Sequence, residues 1–386
     1  MKGAVTIAGS LAQKPMQGGH TWVLLQYLLG FRRLGWNVLF LDELAPEMCI
    51  DDRGKPCQPE KSLNLKVFRS VMEHFGFQDD CCLIYNGGEK YFGRSQAQII
   101  QQVSESAFVL NVMGYLDNEN ILDKASRLVF LDIDPGFGQM WAELGLGNVF
   151  AGHDDYVTIG ERIGTKGCRI PTCGLKWITT PQPVVLEHWP ARIGQFTQPI
   201  SSIVSWRGAY GPLTFRNRSY GLRVHEFRKF LDLPGRTGQP FQLALHIHPD
   251  DSADLQALKR HGWNILDPVQ VAGDPYSYRI FIQNSAAEFM IAKNIYVESR
   301  SGWFSDRSIC YLASGKPVLA QDTSLNGLLP VGEGLLLFEN LEEAVEGVEA
   351  LRMDYVRHAR AARAVAEECF DSDKVLDRLL KKLGVV

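Results

Sequence analysis

Short apolar stretches alternate with amphipathic stretches of helical length along most of the chain. Residues 4–8 are mostly apolar, as in a buried strand, and Leu24, Leu25, Leu28 and Phe31 then repeat at helical spacing before a glycine. A second apolar stretch follows at 37–41 and ends in acidic residues. This order of strand, glycine-containing loop, helix and strand predicts a βαβ unit of a parallel sheet.

The same alternation continues to about residue 159 and begins again at residue 200. Further strands are predicted at 82–85, 108–112, 128–131 and 156–159, and in the second half at 200–205, 241–247, 289–292, 318–320 and 335–338. Residues 44–62 have the composition of a surface excursion. Residues 171–198 are rich in Pro, Trp and Thr, which indicates a crossing between two domains. The pattern therefore predicts an α/β fold with two Rossmann-like domains, at 1–185 and 196–369.

Composition excludes several classes of protein. The 386 residues are 45% hydrophobic and 22% charged, with a net charge of -4, which gives no support for a nucleic-acid partner. No apolar run approaches the ~18 residues of a transmembrane segment. The eight cysteines show no paired zinc spacing. We expect a cytoplasmic protein with reduced thiols.

The segment from Ser299 to Thr323 has the most specific pattern in the chain. A loop with Ser301 and Gly302 precedes a short helical pattern, and Gly315 and Pro317 end that helix before an apolar strand. The helix N-terminus, predicted at Gly302, offers free N–H groups and a positive dipole end that suit a phosphate. Asp306, in its first turn, is placed to meet a ribose hydroxyl.

This segment resembles the donor half-site of glycosyltransferases of the GT-B type, which have two facing Rossmann-like domains with a cleft between them. Gly315-Lys316-Pro317-Val318 matches their turn into the strand, and Gly332-Glu333-Gly334 resembles their glycine-rich end. Many retaining members carry two glutamates that align here with Gly302 and Cys310, so that pair is absent. The resemblance implies that residues 370–386 form a C-terminal helix that returns to the first domain.

His20 is the sharpest catalytic candidate. Gly19-His20 matches a Gly-His pair that supplies the general base in inverting glycosyltransferases, although the proline that usually follows is missing. In that family an aspartate at a later strand end orients the histidine, and Asp134 or Asp132 occupies such a position. A histidine near its ordinary pKa can take a proton from an acceptor hydroxyl at neutral pH. The alternative is a helix-capping histidine.

The remaining candidates are expected to bind the donor. Gly18 and Gly19 allow close approach of the backbone, Arg207 ends the first strand of the second domain, and Lys293 and Arg300 flank the loop that leads to the proposed phosphate site. Trp303 either stacks on a base or sugar or belongs to the core. The resemblance assigns Asp322 and Thr323 to the hydroxyls of the transferred sugar. Together these expected donor-binding residues are Gly18, Gly19, Arg207, Lys293, Arg300, Ser301, Gly302, Trp303, Asp306, Asp322 and Thr323.

The resemblance implies transfer of a sugar from a nucleotide diphosphate sugar to a hydroxyl of a small-molecule or glycan acceptor, with inversion and without a metal or other cofactor. A nucleotide-sugar 2-epimerase on the same fold and a non-catalytic carbohydrate- or nucleotide-binding protein stay open. His246, His248 and Asp250 fit no specific zinc motif. A homodimer and a monomer are both compatible with the sequence.

Overall fold

A computed structural model describes residues 2–208 and 210–385 as two α/β units built on separate sheets. The first sheet has eight strands in the spatial order β4-β3-β2-β1-β5-β6-β7-β8, all parallel except β4, which is antiparallel to β3. Its strands are β1 (Ala4–Gly9), β2 (Asn37–Leu44), β3 (Cys81–Tyr85), β4 (Lys90–Gly93), β5 (Ser106–Val112), β6 (Leu128–Asp132), β7 (Asp155–Thr158) and β8 (Trp177–Thr179). Its helices are α1 (Gly18–Arg33), α2 (Leu63–His74), α3 (Gln96–Glu105), α4 (Glu119–Leu122) and α5 (Phe137–Glu143).

The second sheet has six parallel strands in the order β13-β12-β9-β14-β15-β16, and β10 and β11 form a separate antiparallel hairpin. The strands of this half are β9 (Ile200–Ser205), β10 (Leu213–Phe215), β11 (Arg218–Tyr220), β12 (Phe241–His246), β13 (Trp263–Leu266), β14 (Ala287–Met290), β15 (Val318–Gln321) and β16 (Leu335–Phe338). The helices that follow α5 are α6 (Arg223–Phe227), α7 (Leu233–Thr237), α8 (Ser252–Arg260), α9 (Pro268–Ala272), α10 (Pro275–Gln283), α11 (Asn294–Ser299), α12 (Asp306–Ala313), α13 (Leu341–Met353), α14 (Tyr355–Val365) and α15 (Ser372–Lys382).

The predicted βαβ pattern is confirmed, but several details differ from the expectation. The edge strands β4 and β13 were not predicted. The segment 171–198 is not only a crossing, because β8 lies within it and adds an edge strand to the first sheet. The hairpin β10–β11 was not expected. Helix α12 begins at Asp306 and not at Gly302, since the Ser305 hydroxyl caps it by accepting the Arg307 N–H at 3.2 Å. Its predicted end is confirmed by Gly315, which follows the helix with φ +68°.

The two units share packed side chains. Trp22 on α1 packs against Trp189 of the crossing, with ring centroids 4.8 Å apart and planes tilted by 59°. The Trp22 indole N–H donates at 2.8 Å to the Pro275 carbonyl at the start of α10. Backbone bonds also join the units, from the Arg162 N–H to the Ser301 carbonyl and from the Arg169 N–H to the Ser299 carbonyl. The two units are therefore joined both by packed side chains and by backbone hydrogen bonds.

The last helix, α15, lies on the first unit. Leu376 packs against α1 so closely that a Cβ on Gly30 would come within 2.5 Å of its Cδ1 atom. Arg33 of α1 pairs with Asp373, and the Arg127 guanidinium donates at 2.6 Å to the Leu383 carbonyl. The chain thus ends against the domain in which it begins.

Candidate functional site

The carboxyl ends of the strands of both sheets contribute side chains to one cleft. In an open parallel sheet a ligand binds outside these ends, where the strand order reverses. That point lies between β1 and β5 in the first sheet and between β9 and β14 in the second. The segments to consider are therefore those that directly follow Gly9, Val112, Ser205 and Met290, together with the neighbouring end of β6 at Asp132.

Lys293 and Asp134 meet across the cleft. Lys293 follows β14, and its Nζ lies 2.6 Å from Oδ2 of Asp134, which follows β6 of the other unit. The Tyr296 phenol donates to the other carboxylate oxygen of Asp134. The Lys293 and Asp134 side chains are 17% and 24% exposed, so water reaches this ion pair. Burial, and then the Asp134 charge, raise the pKa of Tyr296 well above its ordinary value, which keeps the phenol protonated.

Arg223, which sequence reasoning missed, is a second cation at this edge. It opens the short helix α6, and its guanidinium donates at 3.1 Å both to the Ser205 carbonyl, at the end of β9, and to the Ile291 carbonyl, after β14. It is 9% exposed, and no carboxylate of the described residues pairs with it. Burial, and then the nearby Arg307, lower its pKa to about 10, so it remains charged at neutral pH. No motif marks it, because a lone arginine after an unpredicted hairpin carries no sequence signal.

His20 is the third residue of helix α1 and faces polar groups of its own domain. Its Nε2 lies 2.9 Å from the Ser10 hydroxyl, just after β1, and its ring meets the Tyr115 ring edge-on at 6.3 Å. Burial, followed by the charge of Lys14, lowers the His20 pKa to about 3, against a smaller raising effect of a hydrogen bond to Ser10. The imidazole is therefore neutral at physiological pH.

The expectation that Asp132 or Asp134 orients His20 is wrong in this structure. Asp134 is engaged by Lys293 and Tyr296, as described above. Asp132 is buried and accepts hydrogen bonds from the Gln139 amide at 2.7 Å and the Thr158 hydroxyl at 2.9 Å. Burial raises its pKa to about 6 against the lowering effect of these bonds. Asp132 thus braces the ends of β6 and β7, and Ser10 takes the place expected for a carboxylate.

Gly18 and Gly19 pack directly against other residues of the protein and do not border an open cavity. A Cβ on Gly18 would lie 2.3 Å from the backbone oxygen of Asp274, and one on Gly19 would lie 2.8 Å from the Tyr278 ring. Both contacts are with the second unit. The two glycines therefore permit close contact between the domains, which corrects the expectation that they make room for a sugar or diphosphate.

The loop before α12 is buried, which corrects the expectation of a phosphate site at its glycine. Gly302 has φ +66°, its N–H donates to the Thr323 carbonyl at 2.8 Å, and a Cβ there would meet Arg162 of the first unit at 2.6 Å. Trp303 stacks on Tyr296 at 4.2 Å and is 5% exposed, so it belongs to the core. Ser301 and Thr323 are fully buried, and their hydroxyls bond to protein atoms within this loop region.

Three further candidates lie apart from Lys293. The Arg207 guanidinium donates two hydrogen bonds to the Asp251 carboxylate, one of them from Nε to Oδ2 at 2.8 Å. It is therefore not free to bind a phosphate in this structure. Arg300 and Asp322 line a separate cavity of about 300 Å³ beyond α11. One oxygen of Asp322 accepts two backbone N–H groups of its own turn.

Asp306 remains a predicted contact to a ribose hydroxyl. It occupies the first turn of α12, and burial raises the pKa of its carboxyl group.

Within residues 2–208 and 210–385, no three His, Cys, Asp or Glu side chains are grouped so as to hold a metal ion. In the same ranges, every helix is too short or too polar to cross a membrane.

Comparisons with known proteins give a structural relationship only. No protein-family model matches the sequence, and no curated protein matches it either. The structure is similar to that of an alpha-glucosyltransferase (AGT) in complex with UDP, at 10% identity and TM-score 0.58, over 99% of this chain and 100% of that one. It is similar to Anabaena HepE in complex with UDP-glucose, at 11% identity and TM-score 0.58, over all of both chains.

A third similar structure is AviGT4, a glycosyltransferase involved in avilamycin A biosynthesis, at 11% identity and TM-score 0.53, over 98% of this chain and 96% of that one. All three alignments span both sheets and the cleft between them. The chain therefore has the GT-B fold, with two Rossmann-like domains facing each other across a cleft.

Proposed function

We propose that the protein transfers a sugar from a nucleotide diphosphate sugar to a hydroxyl group of a small-molecule or glycan acceptor. The observation that carries this proposal is the position of Lys293. It is a cation at the carboxyl edge of the second sheet, beside the buried Arg223, and its counter-charge Asp134 belongs to the opposite domain. A diphosphate that enters the cleft takes the place of Asp134 as the partner of Lys293.

The donor is a uridine diphosphate sugar in this proposal, because AGT and HepE, which share the fold, were solved with UDP or UDP-glucose. Lys293 and Arg223 offset the charge that develops on the departing diphosphate, which is the task of a divalent metal in other enzymes. Arg223 is preorganised for it, since two carbonyl oxygens hold its guanidinium in place. The proposed reaction is therefore independent of a metal ion.

His20 accepts the proton of the acceptor hydroxyl. With the hydrogen on Nε2 directed to Ser10, Nδ1 carries the free electron pair. The hydroxyl oxygen forms the new bond to the anomeric carbon, the bond from that carbon to the diphosphate oxygen breaks, and the proton passes to Nδ1. This is a single displacement in which the hydroxyl attacks from the side opposite the leaving group, so in this proposal the anomeric centre is inverted.

Calorimetry with UDP in metal-free buffer tests the donor side. We expect saturable binding that Lys293→Met and Arg223→Met each weaken about tenfold, as the loss of one charge-assisted hydrogen bond does. Arg207→Met is the matched control, because that guanidinium is paired with Asp251 and is largely exposed. The absence of UDP binding by the folded protein, or an equal effect of the control, contradicts the proposal.

Turnover separates the three functions. A transferase consumes UDP-sugar rapidly only with an acceptor, and His20→Gln slows this step without changing UDP affinity. Interconversion of the sugar nucleotide without an acceptor identifies the 2-epimerase. UDP-sugar binding with no turnover against an acceptor panel identifies the binding protein.

A further inference from the structure

Lys14 is a cation in the first domain whose charge is not neutralised. It lies in the loop between β1 and α1, and its Nζ donates at 2.7 Å to the Tyr115 hydroxyl and lies 4.5 Å from the centre of that ring. Its side chain is half-buried. No carboxylate of residues 2–208 and 210–385 forms an ion pair with it, in contrast to Lys293 in the same cleft, which pairs with Asp134.

Asp42, at the carboxyl end of β2, is a buried carboxyl group that interacts with the Lys14 charge. One of its oxygens accepts the Ala12 N–H at 2.6 Å, and the other has no partner. Burial raises the pKa of Asp42 to about 8, despite the lowering effect of its backbone bonds and of Lys14. At neutral pH Asp42 therefore carries a proton for most of the time and does not supply a counter-charge.

His20 is the other neighbour of Lys14, and it is neutral. Lys14, Tyr115, Ser10 and His20 thus form an uncompensated positive site at the ends of β1 and β5, on the acceptor side of the cleft. A half-buried cation without a counter-charge is a costly arrangement that an anionic ligand relieves.

We propose that the acceptor carries an anionic oxygen group, a carboxylate or a phosphate, which pairs with Lys14 and places the reacting hydroxyl at His20. This inference rests on the proposed sugar transfer and adds the chemical class of the acceptor. Tyr115 supplies a hydroxyl and a ring face beside the same group.

The anionic group has a second effect in this arrangement. The Lys14 charge is one of the two causes that depress the basicity of His20, the larger one being burial. An anion on Lys14 cancels that part, so a bound acceptor makes His20 a stronger base than it is in the empty protein. A neutral acceptor of the same shape lacks this activation.

Small anions test the site without knowledge of the acceptor skeleton. Sodium acetate and inorganic phosphate are titrated against protein with isotope-labelled histidine at constant ionic strength set by chloride. The His20 imidazole signal, assigned with His20→Gln, is followed by NMR. We expect one or both anions to shift it saturably, and the anion that binds more tightly identifies the group as a carboxylate or a phosphate.

Lys14→Gln is the decisive variant, and we expect it to weaken anion binding at least tenfold. Lys66→Gln is the control, because Lys66 is an exposed lysine paired with Asp52. No saturable shift with either anion in the wild type, or unchanged binding in Lys14→Gln, overturns the inference. The titration needs no donor, so a failure here with UDP binding intact removes the anionic acceptor and leaves sugar transfer standing.

Discussion

Replacement of Asp134 by asparagine should tighten UDP binding while it destabilises the protein. The Lys293–Asp134 pair is 2.6 Å long, with side chains that are 17% and 24% exposed. A charge-assisted hydrogen bond contributes roughly 1.5–3 kcal/mol, and we take the lower end because water reaches both groups. In the proposed complex UDP must break this bond. Asp134→Asn removes that cost, and ~1.4 kcal/mol corresponds to about tenfold in the dissociation constant.

Lys293→Met should weaken UDP binding, which Asp134→Asn should tighten, and it should destabilise the protein as Asp134→Asn does. It removes the same bond between the domains, so both variants should unfold at a lower temperature than the wild type. It also removes the cation that receives the diphosphate, so UDP binding should weaken about tenfold. A purely structural ion pair would instead make both variants bind UDP equally well or equally badly.

Isothermal titration calorimetry gives the two affinities, and differential scanning calorimetry gives the two unfolding temperatures. Lys90→Met serves as the control, because Lys90 lies on β4, the outermost strand of the first sheet, and forms an exposed ion pair with Glu60. UDP affinities that move in the same direction in Asp134→Asn and Lys293→Met refute the exchange of partners on which the proposal depends.

Three further predictions concern stability. Gly18→Ala should cost about 1–3 kcal/mol because its Cβ would meet a backbone oxygen at 2.3 Å, whereas Gly147→Ala, with no atom within 4 Å, should be neutral in urea unfolding. Arg307→Met should cost about 3–5 kcal/mol in the same assay, because it leaves the buried Glu288 carboxylate unpaired; a loss below 1 kcal/mol contradicts this reading. Burial raises the pKa of Asp42 in the folded protein to about 8. Between about pH 4 and pH 8 the folded protein therefore keeps a proton on Asp42 that the unfolded chain has released, so the contribution of Asp42 to stability falls as the pH rises. Unfolding free energies measured from pH 5 to 8 should therefore depend less on pH in Asp42→Asn, and an unchanged slope contradicts the assignment.

The sheets were predictable because their strands are buried on both faces and read as continuous apolar runs. Strands β1 and β6 are examples, since every residue after the first one of each strand is buried. The misses are short elements at sheet edges. Strand β8 has three residues, all partly exposed, and so carries no apolar run. The start of α12 was misplaced because the irregular loop before it is held by tertiary contacts to Arg162 and Thr323, which no local pattern reports.

The sequence predicted which single residues lie at the candidate site but did not predict which of them contact each other. Lys293 and Asp134 were selected because each follows a strand end, and strand ends meet ligands. Their mutual contact joins residues 159 positions apart in different domains, so it depends on how the domains close. Arg207 was selected for the same reason as Lys293, because it also follows a strand end. Its guanidinium is nevertheless paired with the Asp251 carboxylate of its own domain. Position in a motif predicts the location of a side chain and leaves its partner undetermined.

The distribution of charge across the cleft favours sugar transfer over the alternatives that the sequence leaves open. The second domain presents Lys293 and Arg223 where a diphosphate departs. The first domain presents Lys14 beside the neutral His20, on a separate pair of strand ends. An epimerase acts on one sugar nucleotide and needs no second cationic site, and a binding protein needs no neutral imidazole held beside that site. Two positively charged sites on facing domains, with a proton acceptor at only one, match a reaction between two substrates.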